Sequence, residues 1–171
     1  MGKMILLTGG SKCGKSTYAE KLCLEYEGPH YYIASMEPYG KESEDKIAYN
    51  RRIRADKWTG TIECYKDLQD IKLPQKGTAL LECICNLTAN EMFDDEGHYK
   101  DPFEKIITGI RTLKEHCSTL IVITNEVGSE GTGYPQETTE YMSVIGRINS
   151  SLTEMADEAY EMVCGIPCRL K

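Results

Sequence analysis

The chain has 171 residues, enough for one domain with a sizeable core and too few to indicate two. It carries 27 Asp and Glu against 20 Lys and Arg, and this acidic balance argues against nonspecific binding of nucleic acid. No apolar run approaches the ~20 residues that a membrane-spanning helix needs, and the N-terminus has no signal-peptide layout. We therefore expect a cytoplasmic protein that binds neither nucleic acid nor membrane.

The hydrophobic pattern predicts strands that alternate with helices. In chain order, strand patterns cover residues 4–8, 31–34, 79–82, 120–124 and 159–163. Helical patterns cover residues 15–25, 42–51, 102–117 and 137–156. This alternation predicts a single-domain α/β fold with a doubly wound, mostly parallel sheet. The loops at the carboxyl ends of the strands, including the polar segment 126–136, should then converge on a ligand.

The first strand pattern leads into a complete phosphate-binding motif. Residues 9–16 match G-x-x-x-x-G-K-[ST] between an apolar strand pattern and a helical one. The glycines let main-chain N–H groups point at phosphate oxygens, and the following helix adds its positive N-terminal end. The motif predicts binding of ATP or GTP by Gly9, Gly10, Ser11, Lys12, Cys13, Gly14, Lys15, Ser16 and Thr17.

Three side chains have predicted roles in phosphoryl transfer. Lys15 should neutralise the β and γ phosphates as the main catalytic group, and the Ser16 hydroxyl should bind Mg²⁺. Glu82 ends the strand pattern 79–82, where phosphate-loop proteins place an acidic residue that holds the metal or its water. A solvated strand end is the alternative interpretation of Glu82.

The eight cysteines do not follow a metal-site or disulfide-scaffold pattern. Cys83 and Cys85 are two positions apart and Cys164 and Cys168 are four apart, so neither pair has C-x-x-C spacing. We expect free thiols, with Cys83 packed as a small hydrophobe beside a strand end.

Six segments spread over nearly the whole chain carry a family resemblance. They are Leu7-Thr8-Gly9-Gly10, Tyr32-Ile33-Ala34-Ser35, Leu80-Leu81-Glu82-Cys83-Ile84, Thr124-Asn125-Glu126-Val127-Gly128, Gly146-Arg147-Ile148-Asn149 and Ala156-Asp157-Glu158. Together they resemble the adenosylcobinamide kinase and adenosylcobinamide-phosphate guanylyltransferase family, of the RecA-like P-loop class. The resemblance implies a homo-oligomer that phosphorylates the aminopropanol hydroxyl of adenosylcobinamide and then transfers GMP through a guanylylated histidine.

The position of that histidine holds Asn50 in this chain. The family's histidine lies a few residues before an Arg and a Trp, which Arg54 and Trp58 match. An amide nitrogen shares its lone pair with the carbonyl, so Asn50 is not expected to form a phosphoramidate. The family's Arg-Asp pair is also replaced, by Met142 and Ser143, which makes the chain a divergent member.

The resemblance also implies a set of guanine-nucleotide contacts. They are Ala34, Ser35, Met36, Arg51, Arg52, Ile53, Arg54 and Glu63. The arginines could hold phosphates without a covalent bond to protein, or could form a solvated helix face.

Four interpretations of function follow from these residues. The first is a kinase that acts on a cobinamide-like alcohol and has lost guanylyl transfer. The second keeps guanylyl transfer as a direct attack by the substrate phosphate on GTP. The third is a nucleotide-dependent interaction protein, and the fourth is a nucleoside monophosphate kinase of another family.

Overall fold

The structure is a computed structural model that describes residues 2–38, 44–45, 48–49, 52, 57–94, 96–128, 131 and 133–171. The strands are β1 (Lys3–Thr8), β2 (His30–Ala34), β3 (Gly60–Glu63), β4 (Thr78–Leu81), β5 (Thr119–Ile123), β6 (Glu158–Val163) and β7 (Ile166–Arg169). The helices include α1 (Lys15–Leu24), α2 (Ile84–Met92), α3 (Phe103–His116) and α4 (Gln136–Met155), with a 3-10 turn at Leu68–Asp70.

All the strands of these ranges form one sheet in the order β3-β2-β4-β5-β1-β6-β7. Every neighbouring pair is parallel except β6 with β7, which form an antiparallel hairpin. Each residue of β4 and of β5 is buried, as expected for central strands that are covered on two faces.

Helices cover both faces of the sheet, so the predicted doubly wound α/β fold is confirmed. On one face, α1 packs against β1, β4 and β5 around a core that includes Ala19, Cys23, Tyr32 and Trp58. On the other face, α2, α3 and α4 enclose the larger core, which includes Leu87, Ile110 and Ile148. No helix in the described ranges combines the length and apolar character needed to cross a bilayer.

All five predicted strands, and the helices predicted at 15–25, 102–117 and 137–156, match observed elements to within one residue at each end. β3 and β7 were not predicted, because each has only four residues and none of them is buried, so no apolar run marks either strand. Helix α2, whose N-cap is a cysteine rather than one of the usual Ser, Thr, Asp or Asn residues, was also missed. The helix predicted at 42–51 falls mainly outside the described residues.

The parallel direction of the strands places the loops that carry the predicted site residues at one edge of the sheet. Because β1, β2, β4 and β5 are parallel, their carboxyl ends lie side by side, and β5 separates β1 from β4. The phosphate-loop segment follows β1, Ser35 follows β2, Glu82 follows β4 and Thr124 follows β5. This edge is therefore where the predicted site residues meet.

Candidate active site

The loop between β1 and α1 has the backbone geometry of a tight curl. Gly9 and Gly14 have φ of +137° and +98°, and Lys12 also has a left-handed φ of +57°. A Cβ on Gly9 would lie 2.7 Å from the carbonyl oxygen of Met162. The loop therefore requires glycine at Gly9 for its conformation and also for its close packing against β6.

The hairpin of β6 and β7 braces the same loop from the side. Cys164 and Gly165 form its turn, with φ of +50° and +81°, and the Gly165 amide donates to the carbonyl of Cys13 at 2.9 Å. A Cβ on Gly14 would lie 3.3 Å from the Cα of Gly165. The C-terminal hairpin thus supports the loop from which α1 begins.

Lys15 is held inside the curl of the loop. Its Nζ donates to the carbonyl of Gly9 at 2.8 Å and to that of Gly10 at 2.5 Å, and lies 3.6 Å from Cys13 Sγ. The residue is only 7% exposed. The ammonium is thus kept at the carboxyl edge of β1, among main-chain groups that a stronger anionic acceptor can replace.

A cavity of about 580 Å³ opens directly in front of this loop. That size is within the range of roughly 300–1,000 Å³ typical of small-molecule sites. It is lined by Ser11, Lys12, Cys13, Gly14, Lys15, Ser16, Thr17, Glu20, Tyr32, Met36, Glu82, Cys83, Asn86, Ile123 and Asn125. The cavity thus brings the phosphate-loop motif together with residues that follow β2, β4 and β5.

Glu82 joins the carboxyl ends of β2 and β4. One carboxylate oxygen accepts from the Tyr32 hydroxyl at 2.9 Å, and the other accepts from the amides of Ser35 at 3.0 Å and Met36 at 3.3 Å. β4 ends at Leu81, one residue earlier than predicted, so Glu82 leaves the strand and lines the cavity. Its carboxylate is thereby fixed in orientation and also fixes the chain after β2.

Cys83 and Cys85 lie at the beginning of α2, beside Glu82. Cys83 Sγ accepts from the Asn86 amide at 3.5 Å and so caps the helix. Hydrogen bonding to Cys83 lowers the pKa of the Cys85 thiol to about 6. Hydrogen bonding to Cys85, with burial, raises the pKa of Cys83. Cys83 packs against the larger core just after β4, as predicted, and its half-buried sulfur in addition caps α2 at the cavity wall.

A polar chain behind the cavity links β5 to α4. Thr124 Oγ1 donates to Asn149 Oδ1 at 2.6 Å, and Asn149 Nδ2 donates to the carbonyl of Asn125 at 3.2 Å. Thr124 is fully buried. These contacts connect two of the motifs that carried the family resemblance and hold Asn125 at the cavity wall.

The remaining predicted residues lie in different places. Ala34 ends β2, Ser35 is buried beneath the cavity, and Met36 lines it. Glu63 ends β3 and lines a separate, open groove of about 560 Å³ with Glu37, Tyr65 and Lys72.

The basic segment around the family's histidine position is only partly described. Arg52 is exposed, whereas Asn50, Arg51, Ile53 and Arg54 lie outside the described residues. Their predicted nucleotide contacts remain predictions.

Sequence reasoning missed the cavity residues Tyr32, Asn86 and Asn125 as site residues. Tyr32 and Asn125 fall within motifs quoted for the resemblance, but no chemical pattern in the sequence gave either of them a role. Asn86 is placed there only because α2 begins two residues after Glu82. The signal that would have found them is the parallel order of β2, β4 and β5, whose carboxyl ends share one edge.

Comparisons with known proteins give the same fold and name a family. A flagellar accessory protein, FlaH from Methanocaldococcus jannaschii, matches 99% of this chain and 78% of its own, with TM-score 0.52 and 13% identity. An ATPase from the type III secretion system of pathogenic bacteria matches 99% of this chain and 57% of its own, with TM-score 0.55 and 12% identity. These structures share the overall fold of this chain.

The sequence comparisons are more specific. The bifunctional adenosylcobalamin biosynthesis protein CobU of Escherichia coli is 29% identical to this chain. The alignment is 182 positions long and covers 98% of this chain and 99% of that protein. The family model for cobinamide kinase / cobinamide phosphate guanyltransferase matches residues 5–170. The chain therefore belongs to the cobinamide kinase / cobinamide phosphate guanyltransferase family.

Proposed function

We propose that this chain phosphorylates the aminopropanol hydroxyl of adenosylcobinamide, with ATP or GTP as the phosphoryl donor. The observation that carries the proposal is the single cavity onto which the phosphate loop, Lys15 and Glu82 all open. The family model supports the acceptor class, since its description names cobinamide as the phosphorylated substrate.

The loop would act mainly by positioning and by neutralising charge. Phosphoryl transfer passes through a loose transition state with charge spread over the γ-phosphoryl oxygens, and it requires no protein nucleophile. When phosphates bind, we expect Lys15 to exchange the carbonyls of Gly9 and Gly10 for anionic oxygens, which make stronger, charge-assisted hydrogen bonds. Main-chain N–H groups of the loop would hold the same oxygens.

The donor atoms at the cavity fit a magnesium ion. The Ser16 hydroxyl and the Glu82 carboxylate both line the cavity, and oxygen donors of this kind are the ligands that Mg²⁺ prefers. When bound, the ion would neutralise part of the negative charge of the nucleotide phosphates. Glu82 would hold it directly or through a water, while Tyr32 and the two amides after β2 keep its carboxylate in place.

Direct transfer of GMP is the second candidate, and the residue that favours it is Asn50. A chain that lacks the family's histidine at this position can still move GMP if the substrate phosphate attacks the α-phosphorus of GTP and displaces pyrophosphate. Such a single displacement inverts the configuration at the α-phosphorus, whereas a covalent relay inverts twice and retains it.

The experiment uses GTP labelled in turn at the α- and γ-phosphorus, with Mg²⁺ and adenosylcobinamide. The proposal expects γ-label in the cobinamide fraction and no α-label on the protein. Small-molecule product with α-label but no protein-bound label would support direct transfer. Acid-labile, base-stable α-label on the protein would contradict the assignment of Asn50. Tight nucleotide binding without any turnover would favour an interaction protein, and label on an added nucleoside monophosphate would favour a nucleotide kinase.

We further expect a cytoplasmic homo-oligomer with a small-molecule substrate. All eight cysteines fall among the described residues and are free thiols, which fits a reducing compartment. The acidic net charge of -7 fits a protein that has no nucleic-acid partner.

A further inference from the structure

Asn125 is a cavity residue that has no part in the chemistry assigned to Lys15 and Glu82. It follows β5 by two residues, is half-buried and lines the cavity. Ile123 lines the cavity as well, whereas the hydroxyl of the intervening Thr124 bonds to α4. Because the side chains of an extended chain point alternately to opposite sides, Asn125 faces the cavity as Ile123 does.

The sheet order places Asn125 between the two side chains that would hold the terminal phosphate. β5 lies between β1, which leads to Lys15, and β4, which leads to Glu82, and adjacent strands are about 4.8 Å apart. Ile123 is in register with the last but one residue of β1, so Asn125 is level with Gly9, whose carbonyl accepts from Lys15 Nζ. A phosphoryl group held by Lys15 from one side and by Glu82 from the other therefore faces Asn125.

The backbone of Asn125 is anchored from behind the cavity. Its carbonyl accepts from Asn149 Nδ2 at 3.2 Å, and Asn149 Oδ1 accepts from Thr124 Oγ1 at 2.6 Å. The helix that carries Asn149, α4, is itself packed into the larger core. The side chain of Asn125 thus starts from a fixed point, which lowers the entropic cost of ordering it on a ligand.

The side-chain amide of Asn125 has a weak partner in this structure. Its Nδ2 donates to Cys83 Sγ at 3.8 Å, and sulfur is a weak acceptor. An amide nitrogen carries two N–H donors, and an anionic phosphate oxygen accepts a stronger hydrogen bond than a neutral group does. A phosphate in the cavity would therefore compete well with Cys83 for this amide.

We infer that Asn125 Nδ2 donates a hydrogen bond to an oxygen of the γ-phosphoryl group, and that Asn149 is the residue that positions it. The inference rests on the proposed function, because it requires a nucleoside triphosphate in the cavity. In phosphoryl transfer, charge is spread over the γ-phosphoryl oxygens in the transition state, and a fixed N–H donor stabilises that charge.

A donor to the terminal phosphate also makes the cavity selective. It strengthens the binding of a nucleoside triphosphate and contributes nothing to the binding of a diphosphate, which lacks the acceptor oxygen. Loss of the donor should therefore change the ratio of the two affinities, whereas general damage to the loop or the fold should weaken both.

The test compares the analogues AMP-PNP and GMP-PNP, which keep a terminal phosphate but resist its transfer, with ADP and GDP. Affinities are measured by calorimetry with Mg²⁺ and without acceptor. Asn125→Ala should bind the triphosphate analogues about tenfold or more weakly, as expected for a lost hydrogen bond to a charged group, and should bind the diphosphates within about twofold of the wild type. Asn125→Asp keeps the shape but replaces the donors with an anionic acceptor, so it should weaken triphosphate binding further.

Cys83→Ala is the matched control, because it removes the sulfur partner of Asn125 and keeps the amide. Its ratio of triphosphate to diphosphate affinity should equal that of the wild type. Equal loss of both affinities in Asn125→Ala, or loss of neither, would overturn the inference and leave the amide as a structural partner of Cys83.

The binding comparison needs no acceptor substrate, so it separates this inference from the proposed function. If the wild type binds the triphosphate analogues but transfers no phosphate to adenosylcobinamide, the proposed function fails and the affinity ratio still decides the role of Asn125. If the wild type binds none of these nucleotides, both fail together.

Discussion

Gly9 and Gly10 are neighbours in the phosphate loop, yet the surrounding chain constrains them differently. Gly9 has a φ of +137°, and an added Cβ would lie 2.7 Å from a backbone oxygen of β6. An added Cβ on Gly10 would meet nothing within 4 Å. We predict that Gly9→Ala lowers the free energy of unfolding by about 1–3 kcal/mol, since it strains both conformation and packing. Gly10→Ala should change it by less than about 0.5 kcal/mol.

Urea unfolding of the two variants and the wild type measures this difference. Equal stability of Gly9→Ala and Gly10→Ala would mean that β6 does not hold the loop closely.

The Tyr32 hydroxyl is a hydrogen-bond donor to Glu82 and can be removed without removing the ring. The two oxygens are 2.9 Å apart, and the ring packs edge-on against Trp58 with centroids 5.2 Å apart. Tyr32→Phe keeps the ring and removes the donor. Because hydrogen bonds to charged groups contribute about 1.5–3 kcal/mol, we expect the Mg²⁺ concentration needed for half-maximal nucleotide binding to rise about tenfold or more.

The measurement is a Mg²⁺ titration of nucleotide affinity, with Tyr31→Phe as control on the opposite face of the same strand. An unchanged Mg²⁺ requirement in Tyr32→Phe would show that this hydroxyl does not orient Glu82 for the metal.

At the scale of elements, Asp157 connects the turn between α4 and β6 to β1 through hydrogen bonds. Its carboxylate accepts from the Met4 amide at 2.7 Å and pairs with Lys114 at 3.1 Å, while its own amide donates to the Met4 carbonyl at 2.8 Å. The Met4 hydrogen bond, with the Lys114 charge, lowers the pKa of Asp157.

A carboxylate whose folded pKa is lowered stabilises the fold above its unfolded pKa, and this contribution disappears as pH falls through the folded value. We therefore predict that Asp157→Asn destabilises the protein at pH 7 but has progressively less effect below about pH 4, the ordinary value for Asp. Urea unfolding at several pH values tests this. A difference between wild type and variant that stays constant from pH 7 to pH 3 would contradict the assignment.

The predicted and observed elements together show which parts of the fold are readable from the sequence. The buried runs of β1, β4 and β5 and the phosphate-loop motif are local signals, and each placed its element or loop correctly. β3 and β7 are four-residue edge strands without a buried side chain, so no apolar run marks them and they were missed. Glu63, at the end of β3, accordingly lines a different groove from the one in front of the phosphate loop.

At the scale of the whole molecule, the cavity is a product of topology. The parallel order β2-β4-β5-β1 brings Tyr32, Glu82 and Asn125 to the edge where Lys15 lies, although they are separated by up to 110 positions in the chain. No local sequence pattern indicates that these residues lie close together. We therefore expect this acidic chain, with net charge -7, to bind the phosphates of a nucleotide at this edge, where main-chain amides and Lys15 are gathered.

The most direct test of this account is the affinity of Lys15→Ala for ATP and GTP in the presence of Mg²⁺, measured by calorimetry. Loss of a charge-assisted contact of about 1.5–3 kcal/mol predicts affinity roughly 10- to 150-fold weaker, with an unchanged circular dichroism spectrum. Lys21→Ala, an exposed lysine on α1, is the matched control and should bind as the wild type does. Undiminished affinity in Lys15→Ala would mean that the cavity in front of this loop is not the nucleotide site.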